Sequence, residues 1–141
     1  MHEHIRPLAP HDSAEIAELE AAARAALVDQ RGGPAHLAEV PAVGEWDGQP
    51  WVWVSTIDEV PVGYLQLVRR DDVAEVRQVY VLPEARELGF GDGMLAAAMQ
   101  AAREAGCTVI EGTALPGDRD TKNLYERAGI TARKITVSKD L

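Results

Sequence analysis

The sequence predicts a mixed α/β fold of the α+β kind, with a mostly antiparallel central sheet flanked by helices. Three observations carry this. Apolar, β-branched runs at Trp51–Ile57, Val62–Val68 and Val73–Leu82 follow one another across short turns, the pattern of an antiparallel meander. Helical apolar stripes lie on either side of them: Ile16, Leu19, Ala23, Ala26 and Leu27 before, and Met94, Leu95, Ala98, Met99 and Ala102 after. Strands and helices then alternate to the end of the sequence, as βαβ-like elements do.

In order, Ile5 to Leu8 reads as a first strand. Asp12-x-x-Glu15 has the form of a capping box, with Asp in place of Ser or Thr, and opens the first helix. From Val28 to Pro50 the periodicity breaks at Arg31-Gly32-Gly33-Pro34, Pro41, Gly44, Gly48 and Pro50. A short helix fits between Pro34 and Val40, with proline in its first turn. Trp51 and Trp53 share one face of the next strand, which suits packing in the core or hairpin. Asp58-Glu59 and Arg69 to Asp72 form the turns of the meander. The second long helix runs to about Ala105 and stops at Gly106. A strand at Thr108 to Thr113, a helix around Tyr125 and a closing strand at Thr131 to Ser138 complete the reading.

At 141 residues the chain is expected to be one domain, 1–141, large enough for a substantial core. No apolar run approaches the ~18 residues of a membrane span. Met1-His2-Glu3-His4 lacks the basic and apolar regions of a signal peptide, and one cysteine allows no internal disulfide, so a cytoplasmic location is expected. The net charge of −9 argues against nucleic acid as a partner, since phosphate backbones require clustered Lys and Arg. It suits a cationic substrate, although an acidic surface also simply keeps a protein dissolved. His2, His4, His11 and His36 show no ligand spacing with Cys107, so no metal is expected. Cys107 reads as a small buried apolar residue.

The most informative stretch is Val79-Tyr80-Val81-Leu82-Pro83-Glu84-Ala85-Arg86-Glu87-Leu88-Gly89-Phe90-Gly91-Asp92-Gly93-Met94-Leu95. A strand ends at a proline, then an arginine and a glycine-rich turn open a helix. Such a turn aims unpaired backbone N–H groups and the positive end of the helix dipole at one point, which suits a phosphate or pyrophosphate. The glycines let a ligand come close to the backbone.

Arg86-Glu87-Leu88-Gly89-Phe90-Gly91 resembles the Gln/Arg-x-x-Gly-x-Gly/Ala motif of the GNAT superfamily of acyl-CoA-dependent N-acyltransferases. Downstream, Leu124-Tyr125-Glu126-Arg127-Ala128-Gly129 resembles that family's Leu/Phe-Tyr-Glu-x-x-Gly segment, while the positions usually held by Asn and Ala fall on Asp118 and Thr121. Asp118 or Asp120 would cap this helix, and Gly129 would end it. The resemblance implies a V-shaped splay between two central strands, acetyl-CoA as acyl donor, an amine acceptor met in a ternary complex, and a monomer or homodimer. The backbone of Val79, Tyr80 and Val81 would hold the pantetheine arm. Arg86 and the N–H groups of Leu88, Gly89, Phe90, Gly91, Asp92 and Gly93 would hold the pyrophosphate. Tyr125 would protonate the departing thiolate, and Asn123 would either contact the pantetheine or lie in solvent. Glu75 is the candidate base, with Glu75, Arg77, Val79 and Val81 on one strand face unless a bulge shifts the alternation. The alternative for Glu75 is an exposed carboxylate paired with Arg77. Glu87 replaces a frequent glycine of the family, and Asp92 stands where many members have Arg or Lys. These two carboxylates are expected to weaken acetyl-CoA binding. They also motivate an alternative reading, a catalytically weak acyl-CoA-binding or sensing module. Gly89-x-Gly91-x-Gly93 does not fit a dinucleotide fingerprint, which places its glycines directly after the strand in a G-x-G-x-x-G order.

Overall fold

A computed structural model describes residues 1–141. The strands are β1 (Glu3–Pro7), β2 (Val52–Ile57), β3 (Val60–Arg70), β4 (Val73–Val81) and β5 (Val109–Gly112); the helices are α1 (Ser13–Ala26), α2 (Gly33–Glu39), α3 (Phe90–Glu104) and α4 (Arg119–Arg127). The strands lie side by side in the order β1-β2-β3-β4-β5. Every pairing is antiparallel except β4 with β5, which is parallel. The expected mixed fold is therefore present. The β2–β3 hairpin turns on Asp58 (φ 49°) and Glu59 (φ 70°), two left-handed residues that match the twist of the flanking strands.

Each face of the sheet carries its own core. Beneath α3 and α4, Met94, Leu95 and Ala98 pack on Trp53, Leu65 and Leu67, with Leu124 and Tyr125 joining from α4. Beneath α1, Ile16 and Leu19 pack with Trp46, Val52, Val54 and Tyr64. No helix is long and apolar enough to cross a membrane. Cys107 is only half-buried, against the α3 side.

One irregularity matters for the site. Leu67 pairs with Val76 but Gln66 pairs with Gln78, so Arg77 is an extra residue bulged out of β4. Ala74 and Val76 face α3 before the bulge, and Val79 and Val81 face it again afterwards. By alternation Glu75 and Gln78 face α1. The expected sharing of one face by Glu75, Arg77, Val79 and Val81 is thus corrected. The bulge puts Glu75 on the opposite face from Val79 and Val81.

Two other expectations fail for identifiable reasons. The Asp12/Glu15 capping box does not form. The Asp12 carboxylate turns away from α1, accepting from Arg6 Nη1 (2.6 Å), Arg6 Nη2 (2.8 Å) and Ala9 N (2.8 Å), which ties β1 to the helix start. The closing strand at Thr131 to Ser138 is also absent. Residues 131–141 are exposed and form neither strand nor helix, with Ile135 at 83% and Val137 at 88% exposure. An alternating pattern becomes a strand only where a neighbour buries one face, and here no sheet edge lies against it.

Asp12 also gives a pH prediction. Burial acts to raise its pKa, but the Arg6 and Ala9 hydrogen bonds and the Arg6 charge outweigh it, so the carboxyl sits below its ordinary value. A carboxyl depressed on folding stabilises above its unfolded pKa of ~3.9 and loses that contribution as pH falls through the folded value. Asp12→Asn is expected to cost about 2 kcal/mol at neutral pH and to flatten the decline in stability below about pH 4, measured by denaturant unfolding across pH.

Candidate active site

The loop between β4 and α3 is shaped by two left-handed residues, Glu87 (φ 69°) and Gly89 (φ 82°), with Gly89 as the N-cap of α3. Phe90 is 4% exposed and is buried with Val62 and Ala85, which anchors the first turn against the sheet. The backbone N–H groups of Leu88, Gly89, Phe90, Gly91 and Asp92 have no backbone partner, so five donors remain at the positive end of α3. Gly93 departs from expectation. Its N–H donates to Gly89 O (3.0 Å) as the first bond of the helix, so it is not free for a ligand. What Gly93 supplies is clearance, since a Cβ there would lie 2.3 Å from Ile5 Cδ1.

Arg86 stands beside this cradle. Its Nε donates to Val81 O (2.9 Å), its guanidinium lies 5.7 Å from the Tyr80 ring centre, and Nη1 is 4.0 Å from Asp120 Oδ2. The side chain is thereby held at the end of β4 while staying partly exposed. The Asp92 carboxylate does not occupy the free N–H groups. It accepts from Arg127 Nε (2.9 Å) and Nη2 (3.3 Å) on α4, so a cation stands beside it. Glu87 is different, because it is a non-glycine residue in left-handed backbone. Such a conformation costs an L-residue roughly 1–2 kcal/mol, and glycine gives back part of that through its freer unfolded chain. Glu87→Gly is expected to raise stability by about 0.5–1 kcal/mol and to tighten binding of coenzyme A. Thermal unfolding and calorimetric titration check both.

From this cradle a slot runs back along β4. β5 pairs with β4 only from Val73 to Val76, whereas β4 continues to Val81. From Arg77 onward the side of β4 away from β3 has no strand beside it, because β5 ends at Gly112. The bare edge runs through Val79, Tyr80 and Val81; Val79 and Val81 turn their backbone groups outward, those of Tyr80 point to β3, and Val81 O already accepts from Arg86 Nε. An extended ligand can add to such an edge as a further strand would.

Tyr125 closes the far side. Asp118 caps α4 by accepting from Thr121 N (3.1 Å), and Gly129 (φ 82°) ends the helix with Ile130 N donating to Tyr125 O. The ring is 7% exposed and lies on Gly112, the last residue of β5. A Cβ on Gly112 would sit 2.4 Å from Tyr125 Cζ and 2.6 Å from Oη. Burial, with a smaller contribution from the Asp118 charge, pushes the phenol up to about 12. Tyr64, by contrast, commits its hydroxyl to Gln78 Oε1 (2.7 Å) on the other face of the sheet.

The remaining candidates lie less centrally. Glu75 is on the α1 face, on the paired part of β4, with Oε1 3.6 Å from Arg77 Nε and its side chain 34% exposed. Asn123 is exposed on α4. The structure thus gathers Val79, Tyr80, Val81, Arg86, Leu88, Gly89, Phe90, Gly91, Asp92 and Tyr125 around one slot and leaves Glu75 and Asn123 outside it.

Two residues that shape the surroundings of the slot carry little signal in the sequence. Gly112 was signalled only as a glycine at a strand end, which often marks a close approach. Glu20 falls four residues after Ile16, on the apolar stripe of α1, and is 2% exposed. A carboxylate on such a stripe needs donors around it, and Glu20 has four.

The family model described as "Acetyltransferase (GNAT) family" matches residues 15–130. A comparison with curated protein sequences finds no match. Among solved structures, the PaiA N-acetyltransferase of Thermoplasma acidophilum in complex with coenzyme A is similar at TM-score 0.73 and 15% identity, over 91% of this chain and 89% of that one. AAC(6')-Iy in complex with the bisubstrate analog CoA-S-monomethyl-acetylneamine is similar at TM-score 0.67 and 19% identity, over 100% of both chains. The diaminobutyrate acetyltransferase EctA of Paenibacillus lautus, in complex with L-2,4-diaminobutyric acid and coenzyme A, is similar at TM-score 0.68 and 19% identity, over 90% of this chain and 74% of that one. These likenesses concern the fold. The family match spans most of the chain and includes both the glycine loop and the Tyr125 helix, and by it the protein belongs to the GNAT family of acetyltransferases.

Proposed function

We propose that the protein transfers an acetyl group from acetyl-CoA to a primary amine, by direct attack of the amine within a ternary complex. The observation that carries this reading is the continuity of the slot. The unpaired N–H groups of α3 lie at one end of the bare β4 edge, and Tyr125 lies across from that edge on Gly112. Acetyl-CoA supplies the activated acyl thioester.

The chain's own groups divide the work. The N–H groups of Leu88 to Asp92, with Arg86, hold the pyrophosphate by charge-assisted hydrogen bonds. The β4 edge from Val79 to Val81 orients the pantetheine arm as an added strand. Tyr125 Oη holds a proton at the sulfur end of the slot, on the α3 side of the sheet. The amine approaches from the α1 side, which leaves the two reacting partners on opposite sides of the acyl carbon. Glu75 faces that side two residues before the bulged Arg77 and is the carboxylate proposed to receive the amine's proton, in competition with Arg77. Glu20 is not available for this, because its oxygens are already filled by donors.

The solved neighbours bound to a neamine derivative and to diaminobutyric acid support a primary amine as acceptor class. The pairing of Asp92 with Arg127 removes one ground for the reading as a weak acyl-CoA-binding or sensing module. The test is release of free thiol from acetyl-CoA in the presence of a panel of primary amines that includes neamine and L-2,4-diaminobutyric acid. Amine-dependent release supports the reading. Saturable binding of acetyl-CoA with no release on any amine favours the sensing module.

A further inference from the structure

The least expected group in the fold is the Glu20 carboxylate, buried with no cation in contact. Its Oε2 accepts from Val43 N (2.9 Å) and Gln78 Nε2 (2.8 Å), and its Oε1 from Gly44 N (3.0 Å) and, more weakly, Trp46 Nε1 (3.4 Å). Burial acts to raise its pKa, but the N–H groups of Gly44 and Val43, the Gln78 amide and the Trp46 indole outweigh it, and the carboxyl sits below its ordinary value. One turn further along α1, Arg24 donates to Val40 O (2.8 Å) and Leu37 O (3.2 Å), so α1 grips both ends of the segment from Leu37 to Trp46.

The fourth partner links this segment to chemistry. Gln78 follows the bulged Arg77 and precedes Val79, so it stands where the bare edge of β4 begins. Its amide bridges Glu20 and Tyr64, and Tyr64 packs edge-on against Trp46 at 5.2 Å between ring centres. One side chain therefore joins the backbone of the donor slot to the wall formed by Val43 and Gly44 over the buried Trp46 on the α1 side, the side from which the amine is proposed to come.

We infer that Glu20 is a positioning residue which, through Gln78, couples the β4 slot to the Val43–Trp46 wall, so that filling the slot orders the surface the amine meets. A ligand lying along β4 fixes the backbone at Gln78. That fixes the amide held by Glu20, and with it the two loop N–H groups on the same carboxylate. Ordering shared in this way is a coupling between two binding events. Only a carboxylate can serve, because all four partners are N–H donors and a glutamine at position 20 would turn its own NH2 toward two of them. The inference rests on the proposed donor slot.

The test is amide hydrogen exchange, residue by residue, with and without saturating acetyl-CoA. In the wild type, exchange at Val43 and Gly44 is expected to slow about tenfold on binding, alongside protection at Phe90 to Asp92. Gln78→Leu should leave these two amides slow in the free protein, since Glu20 still accepts from them, but should abolish the further slowing by acetyl-CoA. Gln78→Ala makes the same cut if Gln78→Leu fails to fold. Glu20→Gln keeps one acceptor oxygen and loses the other, so it should speed whichever of the two amides faces its NH2 and remove that amide's response, while sparing α3. A purely structural role for Glu20 predicts the same response in the Gln78 variants as in the wild type, and that result overturns the inference. Protection at Phe90 to Asp92 with none at Val43 and Gly44 also overturns it while sparing the donor slot. No protection at Phe90 to Asp92 overturns the donor slot and the inference together.

Discussion

Tyr125→Phe is expected to lower amine acetylation about 10²- to 10³-fold, the usual size of a positioned general acid, while leaving acetyl-CoA binding and fold stability nearly unchanged. The size follows from where the hydroxyl is. The ring is buried against Gly112 and remains so in the phenylalanine variant, which removes one oxygen and leaves the packing in place. A phenol at about 12 keeps its proton across the working pH range. Passing that proton to a thiolate whose acid has a pKa of ~8.5 is uphill by at most about 5 kcal/mol, and a thiolate in the same dry slot has its own pKa raised, which narrows the gap. The burial that makes the acid weaker therefore also makes its partner a stronger base. The expected kinetic signature is a fall in kcat with the KM for acetyl-CoA unchanged. Equal kcat in the two proteins would remove Tyr125 from the chemistry.

Gly112→Ala is expected to cost about 1–3 kcal/mol of stability and to reduce activity severely, because the added methyl overlaps the Tyr125 ring. The strand backbone cannot retreat, as Gly112 is the last residue in register with β4 at Val76. The ring and the last turn of α4, which carries it, must move instead. The double variant Gly112→Ala with Tyr125→Phe should remain as destabilised as Gly112→Ala, since the overlap is with the ring as well as the hydroxyl. Thermal unfolding of the three proteins checks this. Full stability in Gly112→Ala would mean that Tyr125 does not sit on β5.

Much of this was legible in the sequence, because the informative signals are local. The strand before Pro83, the glycine turn and the apolar stripe of α3 each follow from neighbouring residues, and each lies where the pattern puts it. The same holds for the Asp118 cap and the Gly129 stop. What could not be read depends on pairing across the chain. The bulge at Arg77 exists only in the register of β4 against β3, and it alone decides which face Glu75 takes. Asp12 has the spacing of a helix cap, but Arg6 on β1 competes for its carboxylate and prevails. Thr131 to Ser138 alternates like a strand but pairs with neither the bare part of β4 nor the outer edge of β5. Glu20 sits on an apolar stripe and gains its partners from a loop more than twenty residues away and from β4. Helix periodicity tells where such a residue points, and only the fold tells what it meets.

An acetyl-CoA site formed by the α3 cradle and the bare β4 edge would stabilise the folded protein when filled. The most direct measurement is thermal unfolding with acetyl-CoA, and separately with NADH and ATP. At 100 times its Kd acetyl-CoA should stabilise the protein by about 2.7 kcal/mol, a shift of several degrees, with no comparable shift from NADH or ATP. No shift with acetyl-CoA, or an equal one with NADH, would mean that the cradle and the β4 edge do not form an acetyl-CoA site.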